Sequence, residues 1–188
     1  LVMTLITWAF SINGRDYLTV HAMRMAERGD RPEHSDVPGV VFVQLMHTSR
    51  VSHVANLPAG ARVVGPTDVA CPGEMWVDGQ GMLPHSQPHA LTEAEIPGVV
   101  AEYPASAKLA IEAGFDGVEV HSANSYLLDQ FLRDSVNDRS GPYGGSIANR
   151  ARLLLEVMQA IADEIGAGRT GVRFSPMTTF SDTPLDSD

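Results

Sequence analysis

The chain has 188 residues, enough for the core of one domain, and 44% hydrophobic with 19% charged residues is an ordinary globular make-up that excludes disorder. A formal net charge of −10 without any basic stripe disfavours nucleic acid as a partner, because that binding rests on Lys and Arg clustered against phosphates. One cysteine, Cys71, makes no internal disulfide and no CxxC metal site, which fits a reducing compartment, and a cytoplasmic location is expected.

In chain order, Leu1 to Phe10 is apolar, short and without a basic leader, so it reads as a buried strand and not as a signal peptide or membrane span. A turn at Asn13-Gly14, a helix through Tyr17 to Glu27 and a polar breaker from Gly29 to Pro32 follow. His21 and His34 have no carboxylate or thiol at ligand spacing, and nothing fixes a geometry for His53, His85 and His89, so no metal site is expected. Val40 to Met46 is an apolar run interrupted by Gln44, the pattern of a strand buried on both faces of a parallel sheet. A glutamine there needs partners for its amide, since an unsatisfied buried amide costs about 1–3 kcal/mol. Met46 lies two residues on, on the same face. Pro58 to His89 is rich in Pro and Gly with little periodicity, the mark of a long functional or mobile loop.

From Leu91 a helix is predicted, opened by the capping box Thr92-x-x-Glu95, carried by Ile96, Val99, Val100, Tyr103, Ala107 and Ala110, and ended by Gly114. Pro104 falls inside it and predicts a bend or break. Beyond Tyr126, Leu127, Leu128, Phe131 and Leu132 form a helical stripe that leaves Asp129, Gln130 and Arg133 outside. Asn137 to Gly145 is a polar loop, and Ser146 is placed to cap a helix through Leu153, Leu154, Val157, Met158 and Ile161. Gly144-Gly145 has neither the preceding strand nor the spacing of a phosphate-cradling loop. Thr170 to Phe174 is a further strand, with Arg173 near its end.

The most informative stretch is Gly117 to Phe131, where a short apolar strand stops on His121 and is followed closely by Asn124 and Tyr126. A neutral His and an Asn can both donate to one carbonyl oxygen, and a phenol with an ordinary pKa of about 10 can pass a proton to a basic carbon. The competing interpretation is a satisfied structural histidine at a strand end. Glu119 shares the strand face of His121 and needs a partner, for which Arg173 is the candidate.

Strands separated by helices argue for an α/β fold with a parallel sheet. Gln44, His121 and Arg173 fall at or near carboxyl ends of strands, as in a (β/α)8 barrel. Such a barrel takes about 250 residues, so the expected architecture is a single, partial TIM (β/α)8 barrel, roughly its second through fifth strands. Its exposed sheet edges are templates for self-association.

The runs HSANSYLLDQFL and NDRSGPYGGSIANRARLLLEV, with VFVQLMHTSRVSH and TGVRFSP, closely resemble the old yellow enzyme family of FMN-dependent ene-reductases. The resemblance spans about Val40 to Phe180 and is weak over residues 1 to 39. It departs from the family pattern at Ser125, where glycine is usual, at Gly141-Pro142, where an acidic residue is usual, and at Met46, where many relatives carry tryptophan. The resemblance implies FMN as cofactor, NAD(P)H as reductant and an α,β-unsaturated carbonyl compound as substrate. It further implies that His121 and Asn124 hold the carbonyl oxygen, that Tyr126 protonates the α-carbon, and that Gln44 and Arg173 contact the pyrimidine side of the flavin. The segment 58–89 would cover the barrel mouth. The early and late barrel strands that complete the flavin site in this family have no counterpart in the matching stretch. The alternative is therefore an inactive barrel fragment that binds FMN weakly or not at all. A hydrolase on the same fold is disfavoured, because no carboxylate pair or metal constellation stands at strand ends.

Overall fold

The computed structural model describes residues 9–10, 42–177 and 179. The helix and turn expected between Asn13 and Glu27, together with His21 and His34, lie outside the described residues. In chain order the elements are β1 (Ala9–Phe10), β2 (Phe42–Met46), β3 (Val64–Gly65), β4 (Glu74–Val77), β5 (Gly81–Pro84) and β6 (His89–Ala90). There follow α1 (Ile96–Glu112), β7 (Gly117–Ser122), α2 (Leu127–Leu132), α3 (Ile147–Arg150), α4 (Arg152–Ile165) and β8 (Thr170–Phe174).

Strands β1, β2, β7 and β8 form one parallel sheet in chain order, an arc of a (β/α) barrel with α1 and α4 in the crossovers. The period of two along each strand separates its residues onto two faces. Val43, Leu45, Val118 and Val120 are buried in one cluster with Tyr103, Ala107 and Ala110 of α1 and Leu153, Val157 and Ile161 of α4. The opposite face carries Gln44, Met46, Glu119, His121, Gly171 and Arg173, with Gln44 opposite Glu119 and His121 opposite Arg173. An apolar face against helices and a polar face turned away is the division a barrel makes between its packed shell and its ligand-facing interior. Gly117 is required where β7 begins: a Cβ there would stand 2.5 Å from the Phe42 ring and would also strike the Arg169 carbonyl.

Three expectations are revised. Helix α1 runs unbroken through Pro104, because its apolar face is anchored on both sides of the proline by buried Ile96, Tyr103, Ala107 and Ala110. The capping box is half formed: the Glu95 carboxylate accepts from the Thr92 N–H and hydroxyl, both at 2.8 Å, within a turn that precedes the helix. The same carboxylate takes His89 Nε2 at 2.9 Å and an Arg62 guanidinium N–H at 2.9 Å, and these donors hold it well below the usual carboxylate range. The segment 58–89 is not wholly irregular, since β4 and β5 pair as an antiparallel hairpin and β3 pairs with β6.

The motif from Asn137 to Arg150 is a scaffold. Asn137 Nδ2 donates to the carbonyls of Phe131 and Tyr143, at 2.7 and 2.8 Å, and its Oδ1 accepts from the Arg139 N–H. The Arg139 guanidinium ties the carbonyls of Pro66 and Leu91, while Arg150, almost fully buried, donates to those of Leu132 and Gly145. Ser146 caps only the four-residue α3, accepting from the Asn149 N–H, and the helix expected through Leu153 to Ile161 begins separately as α4. At Gly141-Pro142 both carbonyls are taken, by Asn149 Nδ2 and Arg152 Nε. These side chains do for a loop what a ladder does for a strand: they satisfy buried backbone carbonyls that would otherwise be orphaned.

Candidate active site

The carboxyl end of β7 and the turn after it gather the polar side chains. His121 is 3% exposed and meets the Tyr126 ring edge-on, with centroids 5.1 Å apart and planes at 88°. Burial, assisted by the Arg173 charge and opposed by Glu119, pushes the His121 pKa down to about 4, so the imidazole is neutral at pH 7. Its Nδ1 is buried and has no hydrogen-bond partner among the described residues. A polar atom left without a partner there costs about 1–3 kcal/mol. Tyr126 is 7% exposed, and desolvation raises its phenol above the ordinary value.

The turn itself is conformationally unusual. Asn124 and Ser125 are consecutive non-glycine residues with φ of 55° and 60°. The left-handed region costs an L-residue about 1–2 kcal/mol, and it explains why glycine suits position 125. Surrounding hydrogen bonds hold it: the Asn124 N–H donates to Ser175 Oγ at 2.7 Å and the Ser125 N–H to Asp129 Oδ2 at 2.8 Å. The first amide of α2, at Leu127, donates to the His47 carbonyl at 3.0 Å, which ties the end of β2 to the same turn.

Gln44 and Glu119 are joined directly, Nε2 to Oε1 at 2.6 Å. Arg173 is exposed and makes no ion pair with Glu119, contrary to the pairing expected from the sequence. The register gives the reason: Glu119 lies opposite Gly171, and Arg173 stands two residues further along β8, opposite His121. Gln44 is the charge's neighbour on the other side. The structure thus brings His121 together with Tyr126 and Arg173 at one level, and puts Gln44 with Glu119 at the level below.

Asp129, Gln130 and Arg133 are 5%, 0% and 3% exposed, not outside the helix stripe as periodicity predicts. A helix of six residues is covered all round when the strand-end turns close over its polar side. Gln130 accepts from Ser49 Oγ at 2.6 Å and donates to the Ser125 carbonyl. Arg133 Nε donates to Asp129 Oδ2 at 3.0 Å, and a second guanidinium nitrogen donates to the Ser175 carbonyl at 3.1 Å. Their only signal in the sequence is spacing: Asp129 and Arg133 are an i, i+4 pair directly after the motif. Among the described residues no group of three or more metal-ligating side chains occurs; His53 caps a 3-10 turn and His89 bonds Glu95. No described helix is long and apolar enough to cross a membrane.

The chain thus has a parallel (β/α) arc with His121, Asn124 and Tyr126 gathered where β7 ends. Residues 35–186 match the profile of the NADH:flavin oxidoreductase / NADH oxidase family, and the chain belongs to that family. It is 46% identical over 144 residues to a putative 12-oxophytodienoate reductase 11 of Oryza sativa subsp. japonica, covering 77% of this chain and 39% of that protein. To a probable flavin mononucleotide-dependent alkene reductase of Leishmania infantum it is 45% identical over 152 residues, covering 78% and 41%. Among solved structures it is similar to the old yellow enzyme homologue from Zymomonas mobilis, at TM-score 0.79 and 35% identity, over 92% of this chain and 46% of that one. The chain therefore spans about two-fifths of the curated relatives and about half of the solved one.

The residues present fit the edge of a flavin. Among the described residues Gln44 spends one N–H on Glu119, and its Oε1 and second N–H are a donor–acceptor pair of the kind an imide edge takes. Arg173 adds an exposed fork of donors two residues along from that level.

Proposed function

We propose that the chain carries the carbonyl-binding and pyrimidine-edge portion of an FMN-dependent reductase that saturates the C=C bond of α,β-unsaturated carbonyl compounds with NAD(P)H. The observation that carries this reading is the buried, neutral His121 with an unpartnered Nδ1, edge-on to Tyr126 at the carboxyl end of β7. FMN, when bound, supplies a hydride to the β-carbon. The rest falls to this chain. His121 and the Asn124 amide donate to the carbonyl oxygen and stabilise the negative charge that gathers there as the double bond is reduced. A neutral imidazole suits this role, since it donates without adding a buried cation. Tyr126 delivers the proton to the α-carbon; its raised pKa keeps the phenol protonated at pH 7, so the proton is present when the carbon becomes basic. Gln44 and Arg173 recognise the pyrimidine edge, and the Arg173 charge favours an electron-rich ring against it.

The test is a flavin titration of the 188-residue chain, followed by absorbance, fluorescence and elution volume. Saturable one-to-one binding, bleaching by NAD(P)H and recovery on adding 2-cyclohexen-1-one are expected. The matched relatives are much longer than this chain, and that favours a second outcome as the rival reading. No binding at all would mean that these residues act only as part of a longer polypeptide.

A further inference from the structure

Among the described residues, the buried Asp129–Arg133 pair is a strongly desolvated charge pair that the proposed chemistry leaves unused, at 3.0 Å with both side chains within 6% of full burial. Such pairs add little net stability, because desolvation of two ions cancels much of their attraction. Their hydrogen bonds show what they hold. Asp129 Oδ2 accepts both Arg133 Nε and the Ser125 N–H. Arg133 reaches on to the Ser175 carbonyl, and Ser175 Oγ returns to accept the Asn124 N–H. The bonds make a closed ring through Asp129, Ser125, Asn124, Ser175 and Arg133, and it joins the turn after β7 to the segment after β8.

We infer that Asp129, Arg133 and Ser175 are positioning residues, a clamp that holds Asn124 and Ser125 in their left-handed conformation and so aims the Asn124 amide at the carbonyl oxygen of the ligand. This rests on the carbonyl-binding reading of His121 and Asn124. The two backbone N–H groups held by the ring belong to the two residues whose φ values are positive. Without the ring, the two backbone N–H bonds that hold Asn124 and Ser125 at positive φ are lost, and the Asn124 side chain loses its fixed direction. Because one ring member lies after β8, the next strand's loop contributes to the asparagine without touching the ligand.

Amide hydrogen exchange on the full chain reads the clamp directly. Ser175→Ala is expected to speed exchange of the Asn124 amide by about tenfold, the worth of one hydrogen bond, while the Val118 and Val120 amides of β7 stay at their original rates. Arg133→Lys keeps the charge but loses the planar fork that spans Asp129 and Ser175, and it is expected to loosen the Asn124 and Ser125 amides. Ser175→Thr, which retains the hydroxyl, is expected to restore protection. The second readout is the affinity of the flavin-loaded chain for 2-cyclohexen-1-one in a double-mutant cycle: Ser175→Ala weakens it several-fold in the parent but has no further effect on Asn124→Ala. Unchanged Asn124 exchange, or an equal loss of affinity in both backgrounds, overturns the clamp. Unchanged affinity in Asn124→Ala itself, or no enone binding at all, overturns the carbonyl reading instead, and the amide exchange alone then decides the clamp.

Discussion

His121 is held neutral by burial, and so is His47, whose pKa is likewise brought down to about 4 by burial and whose Nδ1 accepts from the Ser49 N–H. In the unfolded chain both titrate near pH 6.5. Between those values the unfolded state binds more protons than the folded one, so stability is fully present above about pH 6.5 and falls as the pH drops toward 4. The loss is at most about 3 kcal/mol per ring. Urea midpoints at pH 7, 5.5 and 4.5 should fall in that order, and His121→Asn should flatten part of the slope; a midpoint constant across the range would contradict the assigned burial. Tyr126 gives a second residue-scale test. Tyr126→Phe in the flavin-loaded protein should leave flavin reduction by NAD(P)H intact and slow reoxidation by an enone by about 100-fold, the usual share of a positioned acid. Unchanged enone turnover in stopped-flow traces would remove Tyr126 from the proton-transfer role.

At the level of elements, the sheet and its helices depend on a few close approaches. Gly117→Ala drives a methyl into the Phe42 ring and the Arg169 backbone at the pairing of β7 with its neighbours, and should cost about 2–4 kcal/mol, read as a lower urea midpoint at constant m-value. Helix α1 offers the opposite sign. Pro104 is half-buried and has no N–H to give the Val100 carbonyl, so Pro104→Ala restores a helical bond and should raise stability by about 1–3 kcal/mol. A drop in melting temperature would show that the ring's packing outweighs the missing bond. The loop from Asn137 to Arg150 belongs to this scale too, since its side chains bind backbone carbonyls on α2, on the segments flanking the β3–β6 pair and within the loop itself.

At the scale of the whole molecule, the sheet of the described residues has β8 as its last strand, where Phe174 is 54% exposed beside Arg173. An apolar residue on an edge strand is a template for pairing. The chain is expected to self-associate along this edge in a concentration-dependent way, seen by sedimentation velocity, and Phe174→Lys should shift the distribution toward monomer. A parent chain that stays monomeric at high concentration would show the edge to be protected.

Much of this architecture is legible in the sequence, because it depends on local periodicity. The apolar runs at Phe42 to Met46 and Gly117 to Val120, the stripe on α4 and the cap at Ser146 all follow from spacing over a few residues. The placement of His121 at a strand end and the three-residue reach to Asn124 follow from it too. Register and closure, by contrast, join residues far apart in sequence, and only the tertiary structure decided them. That Glu119 bonds Gln44 and not Arg173 depends on a register of parallel strands 75 residues apart. That Asp129, Gln130 and Arg133 are buried depends on Ser49 and Ser175 arriving over α2 from distant turns. Periodicity assigns one face of a helix to solvent whenever it sees polar residues, because it contains no term for what other segments bring to that face.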